Sequence, residues 1–286
     1  MALTPSPLRY PGGKTSIRKM VAQIMENNGL TRGHYAEPYA GGCGLALTML
    51  FGDVAHELHL NDLDRSIYTF WDTVLNDGDS LIDKMMATDV TIDEWYAQRE
   101  IQRNKDTAND FDLAFSTLFL NRTNRSGIIL KAGVIGGLSQ EGNYKLDCRF
   151  NKDGLAEKIK RIQKYSHRIH FYNLDAIDFL KVTSSKINSK LFYCIDPPYF
   201  SKGSALYTNF YEPKDHAKVA DAILELEHPW MLTYDNKPEI RELYESCAQH
   251  RFFLNYSAQR KRIASELLVT SKGLKLNQDL NLMDVA

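Results

Sequence analysis

The chain has little of the chemistry that marks a secreted, membrane-spanning or metal-built protein. Its four cysteines, Cys43, Cys148, Cys194 and Cys247, are widely spaced and form no CxxC pair. That removes the usual zinc and dithiol signatures and fits a reduced, cytoplasmic compartment. No stretch approaches the roughly 20 apolar residues that span a bilayer, and the opening MALTPSPLRYPGGK has no apolar core of signal-peptide length. Secretion and membrane insertion are therefore not expected. Excess charge is missing as well: the formal net charge is -1, which argues against a protein that coats nucleic acid through many Lys and Arg phosphate contacts. His167, His170, His216, His228 and His250 show no HExxH or other metal-ligand spacing and read as surface or packing residues. No internal repeat or low-complexity tract is found.

What is present is the composition of an ordinary globular protein, 43% hydrophobic and 25% charged over 286 residues, enough to bury a substantial core. Ile17, Met20, Val21 and Ile24 recur at helical spacing and predict a helix over Thr15 to Met25. Tyr35 to Tyr39 reads as a strand running into the cluster Gly41, Gly42 and Gly44, followed by a helix at Leu45 to Phe51 and a second strand at His56 to Asn61 that ends on Asp62. Strand, glycine loop, helix, strand and acidic residue form the order of a nucleotide-binding α/β half. From Ile67 to Tyr165 the pattern changes to helices, such as Phe111 to Leu120, and then to a long Gly-, Asn- and Lys/Arg-rich loop. Strand signals return at Ile169 to Asn173, Leu191 to Ile195, Trp230 to Tyr234 and Phe252 to Tyr256, with a helix at Lys214 to Leu226. The expected architecture is a Rossmann-like α/β core made of residues 1–66 and 167–286, interrupted by a mainly helical insertion at 67–166.

The strongest local signal is Asp196-Pro197-Pro198-Tyr199, directly after the apolar run Leu191 to Ile195. Proline cannot donate to a ladder and restricts the residue before it, so this string lies where a strand ends. Asp196, the free carbonyls and the Tyr199 ring are thus presented at the carboxyl edge of a sheet, where α/β folds bind ligands. The combination suits transfer to an amine on an aromatic base. The Asp196 carboxylate and the Pro197 carbonyl can accept the amine's two hydrogens, while Tyr199 stacks on the base. Cys194, in phase with Asp196 on the strand, reads as packing, since no base for it stands nearby in sequence.

Two glycine motifs fall short of phosphate-binding fingerprints. Gly42 and Gly44 satisfy the first half of GxGxxG, but Leu47 holds the third glycine position; in Tyr10-Pro11-Gly12-Gly13-Lys14, Leu8 stands where Walker A needs glycine. S-adenosylmethionine has no pyrophosphate, so a close turn at Gly41 to Gly44 admits its methionine end while Asp62 binds its ribose. Lys14 can then pair with its carboxylate, with Tyr10 beside it. Within the insertion, Thr117 to Tyr165 carries ten Lys/Arg against four Asp/Glu, a local positive field in a neutral protein. Asn121, Arg122, Asn124, Arg125 and Lys131 carry side chains suited to phosphate and base-edge contacts, and Arg260-Lys261-Arg262 is a second basic run.

Taken in order, Tyr10 to Lys14, Glu37 to Gly44, Asn61-Asp62, Asn121-Arg122, Asp178-Phe179, Asp196 to Tyr199 and Tyr207-Thr-Asn-Phe210 make the chain resemble the Dam-like, D12 class of DNA adenine N6-methyltransferases. That resemblance implies S-adenosyl-L-methionine as methyl donor, double-stranded DNA as partner, and an adenine flipped from the duplex. Neither a membrane nor an obligate protein partner is implied, although a cognate restriction enzyme is compatible with it. It also implies cofactor contacts at Tyr10, Lys14, Glu37, Pro38, Gly41, Gly44, Asp62, Asp178, Phe179 and Asp196, catalysis at Asp196 to Tyr199, a mobile loop around Tyr207, and target recognition by the insertion. One departure limits it. Ser126 to Lys131 stands where the Dam-like pattern has an Arg-Tyr-Asn stretch, with Arg149-Phe150-Asn151 much later, so a GATC target is not implied. The competing readings are a methyltransferase acting on another amine or amide (RNA adenine, cytosine N4 or protein glutamine) and a non-catalytic DNA-binding module.

Overall fold

The computed structural model describes residues 4–10, 12–200, 211–256, 262–276 and 283–284. A 3-10 turn at Lys14–Ile17 opens α1 (Arg18–Asn27), followed by β1 (Gly33–Glu37), α2 (Gly44–Phe51), β2 (Ala55–Asn61) and α3 (Arg65–Asn76). Four helices come next: α4 (Gly78–Ala87), α5 (Ile92–Arg103), α6 (Asp110–Thr123) and α7 (Lys152–Gln163). The sheet then resumes with β3 (Ile169–Tyr172), α8 (Ala176–Lys186), β4 (Leu191–Ile195), α9 (Pro213–Leu224), β5 (Trp230–Asp235), α10 (Pro238–Leu243), β6 (Ala248–Tyr256), β7 (Arg262–Thr270) and the short β8 (Met283–Asp284). Strand order is β3-β2-β1-β4-β5-β7-β6-β8. β3, β2, β1, β4 and β5 are parallel, while β7 runs antiparallel to both β5 and β6. This is the expected Rossmann-like α/β core, with its strand order reversing between β1 and β4. A crevice for ligands opens at the carboxyl ends flanking that reversal.

The elements follow from local chemistry. β4, Leu-Phe-Tyr-Cys-Ile, is buried at all five positions, as befits a central parallel strand covered on both faces. Asp64 accepts from the Ser66 amide at the start of α3, and Asp175 accepts from Ile177 at the start of α8, each satisfying a helix-end donor. β1 stops at Glu37 rather than at Tyr39 because Pro38 follows, and it begins at Gly33. The helix expected at Phe111 to Leu120 runs on to Thr123. Its residues Leu113 to Thr123 are all buried, since α6 lies between α3 and α5 with no solvent face. Its hydroxyls are bonded internally: Ser116 donates to the Gln98 carbonyl at 2.7 Å and Thr117 accepts from Gln102 at 2.9 Å.

Two apolar cores flank the sheet. One gathers α1, α2 and α3 with Trp95 of α5, Phe115 and Phe119 of α6 and Ile159 of α7; the other gathers Phe179, Leu180, Val219, Ile223, Ile240 and Tyr244 against Tyr193 and Ile195. Helices α5, α6 and α7 therefore share a continuous core with one face of the sheet. Among the described residues, no helix is long and apolar enough to cross a membrane.

Candidate active site

The glycine turn after β1 is built against Tyr10. Gly41 has φ +47°, and a Cβ there would lie 2.6 Å from the Tyr10 ring; one on Gly42 would lie 2.7 Å from Tyr10 Cβ. Only glycine permits this approach, because any added methyl overlaps the ring. The Trp71 indole donates to the Gly41 carbonyl at 2.8 Å, and the Gly41 amide donates to Asp62 Oδ2 at 3.0 Å. Asp62 Oδ1 also accepts from the Asp64 amide at 2.9 Å. Burial, aided by the Asp64 charge, pushes the Asp62 carboxyl up to about 7, against the pull of these two amides and of Lys105.

Glu37 ends β1 at 8% exposure. The Tyr35 hydroxyl donates to it at 2.8 Å, and it also accepts from the Ala46 amide in the first turn of α2. Burial nevertheless raises its carboxyl to about 8, so Glu37 is mostly protonated at neutral pH. Pro38 is buried beside it, its carbonyl accepting from Asn61 at 3.0 Å.

The opening and closing motifs meet at Lys14. Its ammonium, on a side chain only 6% exposed, lies 2.9 Å from Asp196 Oδ2 and 3.6 Å from Glu266 Oε2. It donates to the Tyr199 hydroxyl at 2.9 Å and sits 5.1 Å from the centre of that ring. Tyr199 in turn donates to Glu266. The other Asp196 oxygen, Oδ1, accepts from the Thr233 hydroxyl at 2.8 Å. Beyond Pro198, the Phe200 amide donates to Asp235 Oδ1 at 3.0 Å, fixing the exit of the motif. Two carboxylates thus face one ammonium, and acceptors of this kind favour positive charge developing on a nearby nitrogen, as an oxyanion hole favours negative charge on oxygen.

Lys14 is engaged by Asp196, Tyr199 and Glu266. Phe179 is fully buried, its ring edge-on to Tyr172, while Asp178 is exposed in the first turn of α8. Cys194 is buried and its thiol pushed up by burial, which agrees with a packing role.

The proposed DNA contacts need correction. Asn121 is 1% exposed, Arg122 9% and Asn124 0%, because their polar groups complete the chain's own hydrogen bonding. Asn121 accepts from the Arg9 amide at 2.7 Å and donates to the Arg9 and Gly127 carbonyls at 2.8 and 2.9 Å. Asn124 accepts from the Trp95 indole at 2.7 Å and donates to the carbonyls of Ile128 and Ile129, while Arg122 donates to Pro7. Arg125 and Lys131 are exposed; Tyr207, Arg260 and Lys261 lie outside the described residues.

Sequence reasoning missed Glu266 and Thr233 as site residues. Glu266 carried a signal, a lone carboxylate inside the apolar run Glu-Leu-Leu-Val of β7. It also missed a group of cations around the segment Ser6 to Arg9. Arg9, Arg122 and Lys158 are each lowered by burial and then by a neighbouring cation, Arg149 for Arg9, Arg9 for Arg122 and Arg122 for Lys158. Lys158 donates to the Ser6 carbonyl at 3.0 Å.

Among solved structures, the chain is similar to a Pyrococcus horikoshii protein described as an RNA methyltransferase. They share 10% identity, with 98% of this chain and 88% of that chain covered, at a TM-score of 0.39. A Legionella pneumophila protein matches at 8% identity, 91% and 86% coverage and a TM-score of 0.32. No curated protein matches the sequence. The family of D12 class N6 adenine-specific DNA methyltransferases matches residues 10–261, spanning the Tyr10 turn, the Asp196 to Tyr199 string and everything between. The chain belongs to that family and is an adenine-specific DNA methyltransferase that uses S-adenosyl-L-methionine.

Proposed function

We propose that this chain methylates the N6 amine of an adenine turned out of duplex DNA, with the Asp196 carboxylate and the Pro197 carbonyl accepting the amine's two hydrogens. The observation that carries this reading is the fixing of Asp196 from both sides, Lys14 on Oδ2 and Thr233 on Oδ1, at the end of the strand beside the topological switch. An aromatic amine is a poor nucleophile because its lone pair is delocalised into the ring. Acceptors on both N–H bonds favour a pyramidal nitrogen and aim the lone pair, and holding them rigid spends no binding energy on reorganisation. Tyr199 stacks on the base, its hydroxyl anchored to Glu266.

S-adenosylmethionine supplies an activated methyl group on a cationic sulfur. The residues fit it. The Asp62 carboxylate, held by the amides of Gly41 and Asp64, suits a ribose diol. The turn from Pro38 to Gly44 beneath Tyr10, with Glu37 behind it, provides backbone for the methionine end, and Asp178 in the first turn of α8 faces the adenine side.

Residues 67–166 serve as the target recognition domain. Exposed Arg125 and Lys131, together with Arg9 and Lys158, take phosphates, while Asn121 and Asn124 hold the loop that presents them. Turning the base out costs a few kcal/mol of unstacking, which these contacts offset. The test is single-molecule modification sequencing of unmethylated DNA incubated with the protein and cofactor, against Asp196→Ala. N6-methyladenine at one recurring short sequence, absent with the variant, is expected. Modification of cytosine, or of RNA alone, would overturn the substrate assignment.

A further inference from the structure

We propose that His34, Glu57 and His59 form a divalent metal site, of a kind that takes Zn2+, on the sheet away from the methyl-transfer residues. Sheet register brings these residues together. His34 of β1 pairs with Glu57 of β2, Glu57 and His59 share one face by the two-residue period of a strand, and His170 of β3 pairs with His59. The sequence hides this arrangement, since no helical or loop spacing links position 34 to positions 57 and 59.

The donor atoms converge. His34 Nδ1 lies 3.0 Å from His59 Nε2 and 3.7 Å from Glu57 Oε2, and one donor atom from each of the three lies within 4.8 Å of the others. A tetrahedral ion with ligand bonds of about 2.1 Å separates its donors by roughly 3.4 Å, a value that 3.0 and 3.7 Å bracket. Two imidazoles and a carboxylate are the donor set of a zinc site that keeps a fourth position for solvent.

The surroundings hold the donors in place. His170 Nε2 is 2.9 Å from the same Glu57 oxygen, the outer partner that orients a ligating carboxylate. The Tyr172 hydroxyl lies 3.5 Å from His59 Nδ1, on the far side of the ring from the nitrogen that faces His34. His170 stacks on His59 with centroids 4.8 Å apart and an 18° tilt. His59 is 5% exposed, whereas the His34 and Glu57 side chains are 25% and 31% exposed, so the group is anchored on one side and open to an ion on the other. Bound there, the ion ties His34, near the start of β1, to Glu57 and His59 in the middle of β2, while Asp62 and the glycine turn lie at the carboxyl ends of these strands.

The experiment titrates untagged, metal-stripped protein with ZnCl2, reading bound metal by competition with a chromophoric chelator and by elemental analysis after gel filtration. One Zn2+ per chain is expected. His34→Gln or Glu57→Gln should weaken it on the order of 100-fold, and His170→Gln about tenfold. His167→Gln, at an exposed histidine elsewhere, should leave it unchanged. Absence of saturable binding, or affinity in H34Q and E57Q as high as in the unaltered protein, would overturn the proposal. If those variants do not fold, Co2+ in the unaltered protein decides: intense visible bands of a tetrahedral ion support the site, and the pale spectrum of an octahedral one overturns it.

Discussion

The Lys14 ammonium stands 2.9 Å from the Asp196 carboxylate, so the cation of the first glycine motif and the acid of the Asp-Pro-Pro-Tyr string act as one unit. Lys14→Met should lower single-turnover methyl transfer by about 100-fold or more, the range for loss of a preorganised electrostatic group. Lys14→Arg should not restore it, because a planar fork does not fit the space of a buried ammonium touching two carboxylates and a phenol. Full activity in the arginine variant would show that Lys14 supplies charge alone.

Thr233 is a positioning residue. Thr233→Val removes the donor to Asp196 Oδ1 while keeping the side-chain shape. The expected result is a kcat lower by roughly tenfold with KM for DNA unchanged, and recovery with Thr233→Ser. A change confined to KM would place Thr233 in substrate binding instead.

If Asp62 holds the cofactor ribose as proposed, cofactor affinity should depend on pH. Its carboxyl, pushed up to about 7 by burial, goes from mostly protonated at pH 6 to mostly ionised at pH 8, and the ionised form is the better acceptor for hydroxyl donors. Affinity for S-adenosylmethionine, followed by calorimetry, should therefore rise about tenfold over that range, and the rise should vanish in Asp62→Asn. A flat profile in the parent protein would remove Asp62 from the cofactor.

Glu37 makes stability depend on pH with a definite sign. Unfolded, its carboxyl ionises near pH 4.3; folded, burial raises it to about 8. Between those values the folded chain keeps a proton that the unfolded chain has lost, so this group lowers stability as pH rises. Glu37→Gln cannot titrate. Its Tm relative to the parent should climb from pH 5 to pH 8 and then level off, and a pH-independent difference would contradict burial as the cause.

On the proposed DNA contacts, the exposed Arg125 and Lys131 should behave differently from the buried Asn121. Arg125→Ala and Lys131→Ala should each reduce the slope of log affinity against log salt by about 0.9. Asn121→Ala should leave that slope alone and cost about 1–3 kcal/mol of stability, because it strands the Arg9 amide and two buried carbonyls.

The part of this protein legible in sequence is the part set by short-range rules. β4 was predicted at its observed limits because five consecutive apolar residues precede Asp196-Pro-Pro, which nothing but a strand end accommodates. The Gly41 turn was legible as a turn, but not its reason, the Tyr10 ring lying against it. Asn121 and Asn124 were misread because an amide suited to a base edge is equally suited to a buried carbonyl, and only burial decides between them. The polar residues buried along α5, Gln98 and Gln102, likewise blur its apolar period. Glu266 and the His34 group depend on strand neighbours distant in sequence, which periodicity does not report.

The antiparallel return of β7 sets an order of assembly. β7 delivers Glu266 to Lys14, so the charge cluster of the site joins segments far apart in the chain. The parallel strands can pair as the chain emerges, in the N-to-C order in which nascent chains acquire structure. Lys14 and Asp196 must nevertheless wait for the last antiparallel strands before their second carboxylate arrives, a closure of high contact order and correspondingly slow. A nascent chain stalled before β7 would carry every glycine motif and the Asp196 to Tyr199 string, yet lack a finished catalytic centre. Closing the charge cluster is therefore a late, long-range step in building the site.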